Sequence, residues 1–290
     1  MFIPSNESIN EILRRHRLDD EIESFEHKSG TTDGLALILH TKVRGKFVLK
    51  FENATTIKEV VEFLGIYKDS SLLPKVQFRA EDYSYFLYSY VEGTTHVNRG
   101  GKLEWLSALG NDLLNKYVPY GVDGTWGRLA YPRKSWLEFN ETSIEYAREN
   151  VGSLLPDEDY IYIKSIVGSL FGDQADGGEK FLLHGDTGVH NFVYRDNSIV
   201  GVIDPSPMAG PMIYDFVYAF CSSPDDLNAE TLFAAYDQLH RKSVDKPRLI
   251  QETAVQLYCR IGLSKKHHPG DLPEYLRAWE AWKGYCLGGG

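Results

Sequence analysis

The chain changes its hydrophobic rhythm once, near Val91 to Thr95, and that change limits the folds open to it. Upstream, apolar residues come in strand-like runs. GLALILHTKV and KFVLKFE are joined at Arg44-Gly45, a hairpin signal, and KVQFRAE and YSYFLYSYV follow. One helix interrupts them: Thr55-Thr56 are expected to cap IKEVVEFLGIYK, with Ile57, Val60, Val61 and Leu64 on one face. Ser5-Asn6 are expected to cap a shorter helix carrying Ile9, Ile12 and Leu13. Downstream, LEWLSALGNDLLNKY, SIEYAREN, DYIYIKSIVGSLF, AETLFAAYDQLHRK and PRLIQETAVQLYCRIGL all have helical spacing. Strands first and helices after predict an α+β fold. Residues 1–91 are expected to form a five-stranded antiparallel sheet with one or two helices, and residues 92–290 a mostly helical lobe. A cleft between two such lobes is where a small-molecule site is expected.

Bulk properties exclude several classes. With 290 residues, 42% hydrophobic and 25% charged, the chain has the composition of a globular protein able to bury a sizeable core. The opening MFIPSNESINEILRRH has no apolar h-region, and no segment approaches the roughly 20 apolar residues of a membrane span. Cys221, Cys259 and Cys286 are odd in number and widely spaced, which reads as reduced thiols. These features predict a cytoplasmic protein without a membrane partner. The net charge of -10 argues against nucleic-acid binding and is compatible with a cationic substrate.

The densest chemistry lies between Phe181 and Tyr218, FLLHGDTGVHNFVYRDNSIVGVIDPSPMAGPMIYDFVY. An apolar run leads into a loop holding His184, Asp186 and Asn191, and a hairpin follows. Asp204 is expected at the end of its second strand, and Asp215 opens a helix. A loop carboxylate such as Asp186 can accept the proton of an attacking hydroxyl. The Asn191 amide oxygen, five positions on, can ligate Mg²⁺. Asp204 can bridge a metal to the β- and γ-phosphates, and Pro205 fixes the direction in which the chain leaves. Together these residues point to phosphoryl transfer, where the protein supplies positioning and charge stabilisation.

LLHGDTGVHNFVY followed by VIDPSPMAGPMIYDF resembles the catalytic loop and metal motif of the aminoglycoside phosphotransferase and choline-kinase-like family. The resemblance implies the bilobal protein-kinase-like fold, with Asp186 as catalytic base and Asn191 and Asp204 as Mg²⁺ ligands. It also implies that His184 supports the loop and that Asp215 braces it. The N-terminal lobe should then supply a phosphate-binding lysine. Lys50 in FVLKF is the candidate, unless it is an edge-strand lysine facing solvent. Its expected partner is Glu59, with Glu62 as the alternative. Ser29, Gly30, Thr31 and Thr32, in a stretch ending at Gly34, are expected to cover the phosphates, although HKSGTTDG departs from GxGxxG. In the hinge YSYVEG, the Ser89 carbonyl and Val91 amide are expected at the base edge, with Tyr88 behind it.

The expectation is an ATP- (or GTP-) and Mg²⁺-dependent kinase of a small hydroxylated, cationic molecule. An aminoglycoside or related antibiotic is the first candidate acceptor. A cellular amino alcohol or sugar is the alternative, and a non-catalytic pseudokinase is the rival from another class. Trp126, Trp136, Trp279 and Trp282 read as packing residues. Glu274, Trp279 and Glu280 are further candidates for an acceptor pocket, and His267-His268 read as a helix-end loop.

Overall fold

Ser5 accepts a hydrogen bond from the Ser8 amide and starts α1 (Asn6–Arg15), which buries Ile9 and Leu13. In the computed structural model the residues described are 4–28, 34–95, 97–172, 179–242 and 244–286. The chain divides into two compact units, Met1–Asp69 with Leu73–Glu92, and Ser70–Leu72 with Gly93–Gly290.

The first unit holds β1 (Ile22–His27), β2 (Leu35–Thr41), β3 (Gly45–Phe51), β4 (Val76–Arg79) and β5 (Tyr85–Ser89) in one antiparallel sheet, ordered β1-β2-β3-β5-β4. The β2–β3 hairpin turns at Gly45, whose φ of +84° suits glycine. Leu37, Leu39, Leu49 and Leu87 form the core with Ile9 and Leu13 of α1. The helix α2 (Ala54–Ile66) differs from expectation at its start. Asn53 caps it, its amide oxygen accepting from Thr56 N at 2.9 Å, so Thr55 and Thr56 fall inside the first turn. Its buried face is Ile57, Val60, Phe63 and Leu64, with Phe63 taking the place expected of Val61.

In the second unit the described residues form α3 (Lys102–Asp112), α4 (Trp136–Val151), α5 (Asp157–Phe171), α6 (Met212–Cys221), α7 (Ala229–Tyr236), α8 (Lys246–His267) and α9 (Leu272–Cys286). Two small sheets accompany them. The first orders β6 (Gly127–Arg128), β10 (Met208–Gly210) and β7 (Phe181–Leu183) as β6-β10-β7, and the second is the hairpin of β8 (Phe192–Arg195) and β9 (Ser198–Val202). The helix α3 stops at Asp112, short of LLNKY, while α4 starts well before SIEYAREN because Ser135 accepts from Glu138 N and caps it. The α7 helix ends at Tyr236 instead of running through QLHRK. The C-terminal helix α9 goes beyond the sequence expectations. It buries Trp279, whose indole donates to Asp159 Oδ2 at 2.6 Å, and Trp282, which donates to the Leu227 carbonyl at 3.0 Å. Trp279 is therefore core, not a pocket wall, while Glu274 and Glu280 are exposed. Trp126 and Trp136 are buried as expected, and His267 ends α8. Among the described residues no helix is long and apolar enough to cross a membrane.

Candidate active site

The loop that follows β7 turns at Gly185, where φ is +77° and any Cβ would run into the Ser206 carbonyl oxygen. Only glycine fits there. At the same point the chain is bolted to α6. Fully buried Asp215 accepts the Gly185 amide on Oδ1 at 3.1 Å and the Tyr117 hydroxyl on Oδ2 at 2.5 Å, and that hydroxyl in turn accepts from His184 N at 3.1 Å. Thr187 Oγ1 donates to the Asp215 carbonyl at 2.7 Å, and Ser222 Oγ accepts from Val189 N at 3.1 Å. The role implied for Asp215, bracing the loop from the following helix, is visible in these bonds.

This bracing presents Asp186 to a ring of donors. Asn191 Nδ2 donates to Oδ2 at 2.9 Å and to the Asp186 carbonyl at 3.0 Å; the Tyr218 hydroxyl donates to Oδ1 at 3.0 Å; and His190 Nε2 lies 3.4 Å from Oδ2. Burial alone would raise the carboxyl. The His190 bond and charge, then Arg128, outweigh it and bring the group down to about 2. Asp186 is thus ionised at neutral pH. His184 is fully buried, and burial pushes it down to about 4 against the pull of Asp186 and Asp204, so the ring is neutral. Its Nδ1 accepts the Asp186 amide at 3.3 Å, which makes it a support of the loop. Asp215 behaves in the opposite way to Asp186. Burial raises it to about 6, although the Tyr117 bond, two loop amides and Arg128 all favour its charged form.

β9 ends at Val202, so Asp204 lies beyond the strand and not at its end. Its φ is +53°, in the left-handed region that side chains other than glycine rarely adopt. The Ile203 amide bonds the Asn191 carbonyl at 2.9 Å and the Ser206 amide bonds the His184 carbonyl at 2.9 Å, which ties the segment around Asp204 to the Asp186 loop. Asn191 spends its NH₂ on Asp186, so its Oδ1 is left for a ligand. That oxygen and the Asp204 carboxylate are hard donors suited to Mg²⁺, which takes few protein ligands and completes its shell with phosphate oxygens and water. No cluster of three His, Cys, Asp or Glu arranged around a metal occurs among the described residues.

Three residues here lie outside the sequence expectations. Tyr218 lies three positions after Asp215 on one helix face, a spacing that could have flagged it. His190 sits inside the quoted motif, four residues after Asp186. Arg128 carries no local signal. Its Nη1 donates to Ser206 Oγ at 2.5 Å; burial would lower its basicity, but Tyr214, Asp186, Tyr218 and Asp215 raise it.

The far end of α6 is clamped as firmly as the near end. Buried Lys102 donates to the carbonyls of Phe220 at 2.9 Å and Ser223 at 2.7 Å, Tyr275 donates to Cys221 at 3.0 Å, and Arg260 donates to Ser222 at 2.8 Å. The last carbonyls of a helix lack partners within it, and here three other helices supply them.

In the first unit, β3 is central in the sheet, which removes the edge-strand reading of Lys50. Its ammonium pairs with Glu52 at 3.2 Å, not with Glu59 or Glu62 as expected. Glu52 lies one residue past the end of β3 at Phe51. Glu62 instead approaches Lys58 at 3.9 Å, and Glu59 makes no ion pair among the described residues; burial, then Glu62, raises its carboxyl. Gly34 is packed so that a Cβ would meet the Phe51 carbonyl at 2.6 Å. Ser89 N bonds the Lys75 carbonyl at 2.9 Å, and the Val91 backbone makes no hydrogen bond among the described residues. Tyr88 is buried and stacks on Phe86 with ring centroids 5.0 Å apart. Ser29, Gly30, Thr31 and Thr32 lie outside the described residues.

The α+β fold with its five-stranded antiparallel sheet is that of protein-kinase-like phosphotransferases. The chain belongs to the Phosphotransferase enzyme family (APH), whose pattern it matches over residues 29–249. No curated protein matches it significantly. Among solved structures it is similar to the GDP and kanamycin complex of APH(2")-IIIa, with 15% identity, 96% of this chain and 98% of that one covered, and a TM-score of 0.61. It is also similar to macrolide 2'-phosphotransferase MphH from Brachybacterium faecium, with 12% identity, 96% and 97% covered, and a TM-score of 0.59. A third is a choline/ethanolamine kinase family protein from Mesorhizobium loti, with 13% identity, 91% and 87% covered, and a TM-score of 0.54. At such identities the likeness establishes the fold.

Proposed function

We propose that the protein transfers the γ-phosphoryl group of a nucleoside triphosphate, ATP or GTP, to a hydroxyl of a small molecule. The observation that carries this reading is the donor set converging on Asp186: a carboxylate bonded by Asn191 and Tyr218 and held ionised chiefly by His190 and Arg128, on a loop fixed by Asp215. The acceptor oxygen attacks the γ-phosphorus while its proton passes to Asp186. A new O–P bond forms, the bond to the β–γ bridging oxygen breaks, and the nucleoside diphosphate leaves with that electron pair. So weak a base orients the hydroxyl first and takes its proton only as the new bond forms, which suits a loose transition state. Asn191 Oδ1 and Asp204 would hold Mg²⁺, which when bound neutralises charge on the β- and γ-phosphates. Lys50, with Glu52 beside it, binds phosphate oxygens; Ser29 to Thr32 cover them; and the Ser89 carbonyl and Val91 amide take the base edge.

The intact set of Lys50, Asp186, Asn191 and Asp204 disfavours the pseudokinase reading. Neither nucleic acid nor membrane is required as a partner, and the expected setting is the cytoplasm, where nucleoside triphosphates are abundant. The named relatives include proteins bound to kanamycin or called macrolide and choline kinases, so the family resemblance leaves the acceptor open between an aminoglycoside, an amino alcohol and a sugar. A coupled ADP-release screen identifies the acceptor, after which Asp186→Ala should abolish turnover while the thermal shift with Mg·ATP persists. Turnover surviving that change would remove Asp186 from its role.

A further inference from the structure

Beside the ring of groups around Asp186, the elements β6, α4, α6 and α8 enclose a cavity of about 300 Å³. Arg128, Phe139, Tyr146, Tyr214, Tyr218 and Gln256 make up much of its wall. The cavity adjoins the reacting carboxylate, because Tyr218 is the residue whose hydroxyl bonds Asp186 Oδ1. Three polar groups on the wall are uncommitted. Arg128 uses Nη1 on Ser206, and its Nε and Nη2 bond no described residue. The Tyr214 hydroxyl and the Gln256 amide also bond no described residue. Lining one cavity, these three groups are placed to bond a ligand that enters it.

The charge of the wall narrows that ligand. No aspartate or glutamate lines the cavity among the described residues. The nearest acid along α8, Glu252, is tied to Arg248 at 2.8 Å. The charged group on the wall is the cation Arg128; Lys266, outside the lining, donates to the Tyr146 hydroxyl at 2.9 Å. On a chain of net charge -10 such a wall is an exception to the general acidity. A guanidinium with Nε and Nη2 open offers two parallel N–H bonds, the fork that a carboxylate accepts. A polycation in the same space would meet that guanidinium with no carboxylate on the wall itself, Asp186 lying beyond Tyr218. The volume is also at the small end for ligand sites.

Resting on the kinase reading above, we infer that the acceptor is a compact hydroxy acid, its carboxylate on Arg128 and its hydroxyl directed past Tyr218 to Asp186. This displaces the aminoglycoside suggested by resemblance, and the cationic substrate suggested by net charge.

The test measures both thermal shift and ADP release for three probe groups: D-glycerate, D-gluconate and shikimate; D-ribose and glycerol; and choline and kanamycin. At least one hydroxy acid should stabilise the protein and give a kcat/KM at least about 10-fold above every cation. Arg128→Gln should raise its KM by about 10- to 100-fold, the loss expected for a charge-assisted pair, with kcat changed far less. Gln256→Glu leaves Arg128 in place and should lower affinity for the acid by adding a carboxylate opposite it. A higher kcat/KM for choline or kanamycin, no binding of any hydroxy acid, or an unchanged KM in a folded Arg128→Gln variant would each overturn the inference. Failure of the kinase reading looks different: acids bind through Arg128, yet no ADP is released, or release persists in Asp186→Ala.

Discussion

Replacing Asp215 with Asn keeps the shape of a fully buried side chain and removes its charge, so it separates two effects that the wild type combines. Four influences favour the ionised carboxylate, yet burial wins and the group sits at about 6 against an ordinary value of 3.8. A raised carboxyl adds stability that is fully present below its unfolded value and is lost as pH rises through its folded one. Across that window the difference between about 6 and 3.8 corresponds to about 3 kcal/mol. Between pH 7.5 and pH 5 the same linkage gives on the order of 1 kcal/mol, present in the wild type and absent in Asp215→Asn. Urea unfolding followed by tryptophan fluorescence at both pH values reads this as a difference of differences. Glu252, which burial also raises, titrates in both proteins and cancels. The variant should be close to wild type at pH 7.5, because the cost of burying the charge is removed along with its hydrogen bonds, and weaker at pH 5. An equal gap at the two pH values would refute the reasoning, since it would mean that Asp215 stays ionised throughout. Turnover should fall at either pH, because an amide NH₂ cannot accept both the Gly185 amide and the Tyr117 hydroxyl as the carboxylate does.

Two further outcomes follow from the loop itself. Tyr218→Phe removes the 3.0 Å bond to Asp186 and should lower stability at pH 7 by about 1.5 to 3 kcal/mol, with kcat falling more than KM. Asp186 is held below its ordinary range, so its contribution is present above pH 3.8 and lost as pH falls toward about 2; the deficit of Tyr218→Phe should shrink in that interval, and a deficit independent of pH would remove Tyr218 from the carboxylate. Gly185→Ala places a side chain at a φ of +77° against Ser206 and should cost about 3 kcal/mol or more in urea unfolding. A loss under about 0.5 kcal/mol would show that the turn can relax.

Elements with a strong local period are legible in the sequence. The β2–β3 hairpin, α1 and most of α8 follow from alternation or helical spacing alone. The convergence of Asp186, Asn191 and Asp215 on one loop is legible because one short stretch carries all three. What escapes depends on residues distant in sequence. Arg128 and Tyr117 reach the loop from other elements, and nothing in their neighbourhoods announces it. The helix α9 escapes because its buried residues, Tyr275, Trp279 and Trp282, are aromatic and few among exposed polar ones. The Lys50 partner is a different case. A kinase-like pairing with a helix is the expectation, whereas Glu52, just past the end of the same strand, lies close enough to pair.

The clamp on the last carbonyls of α6 has a consequence for the order in which the protein becomes competent. Asp186, Asn191, Asp204, Asp215 and Tyr218 all precede that clamp in the chain, yet the helix that seats their loop is finished by Arg260 and Tyr275. A chain emerging from the ribosome therefore holds this whole set before it holds the parts that fix it in place. Lys102 is made early and waits for α6; Arg260 and Tyr275 arrive last and complete the bonding of its final turn. The loop is thus expected to be fully seated only when α9 docks, so that, under the function proposed above, an unfinished chain should not turn over nucleotide.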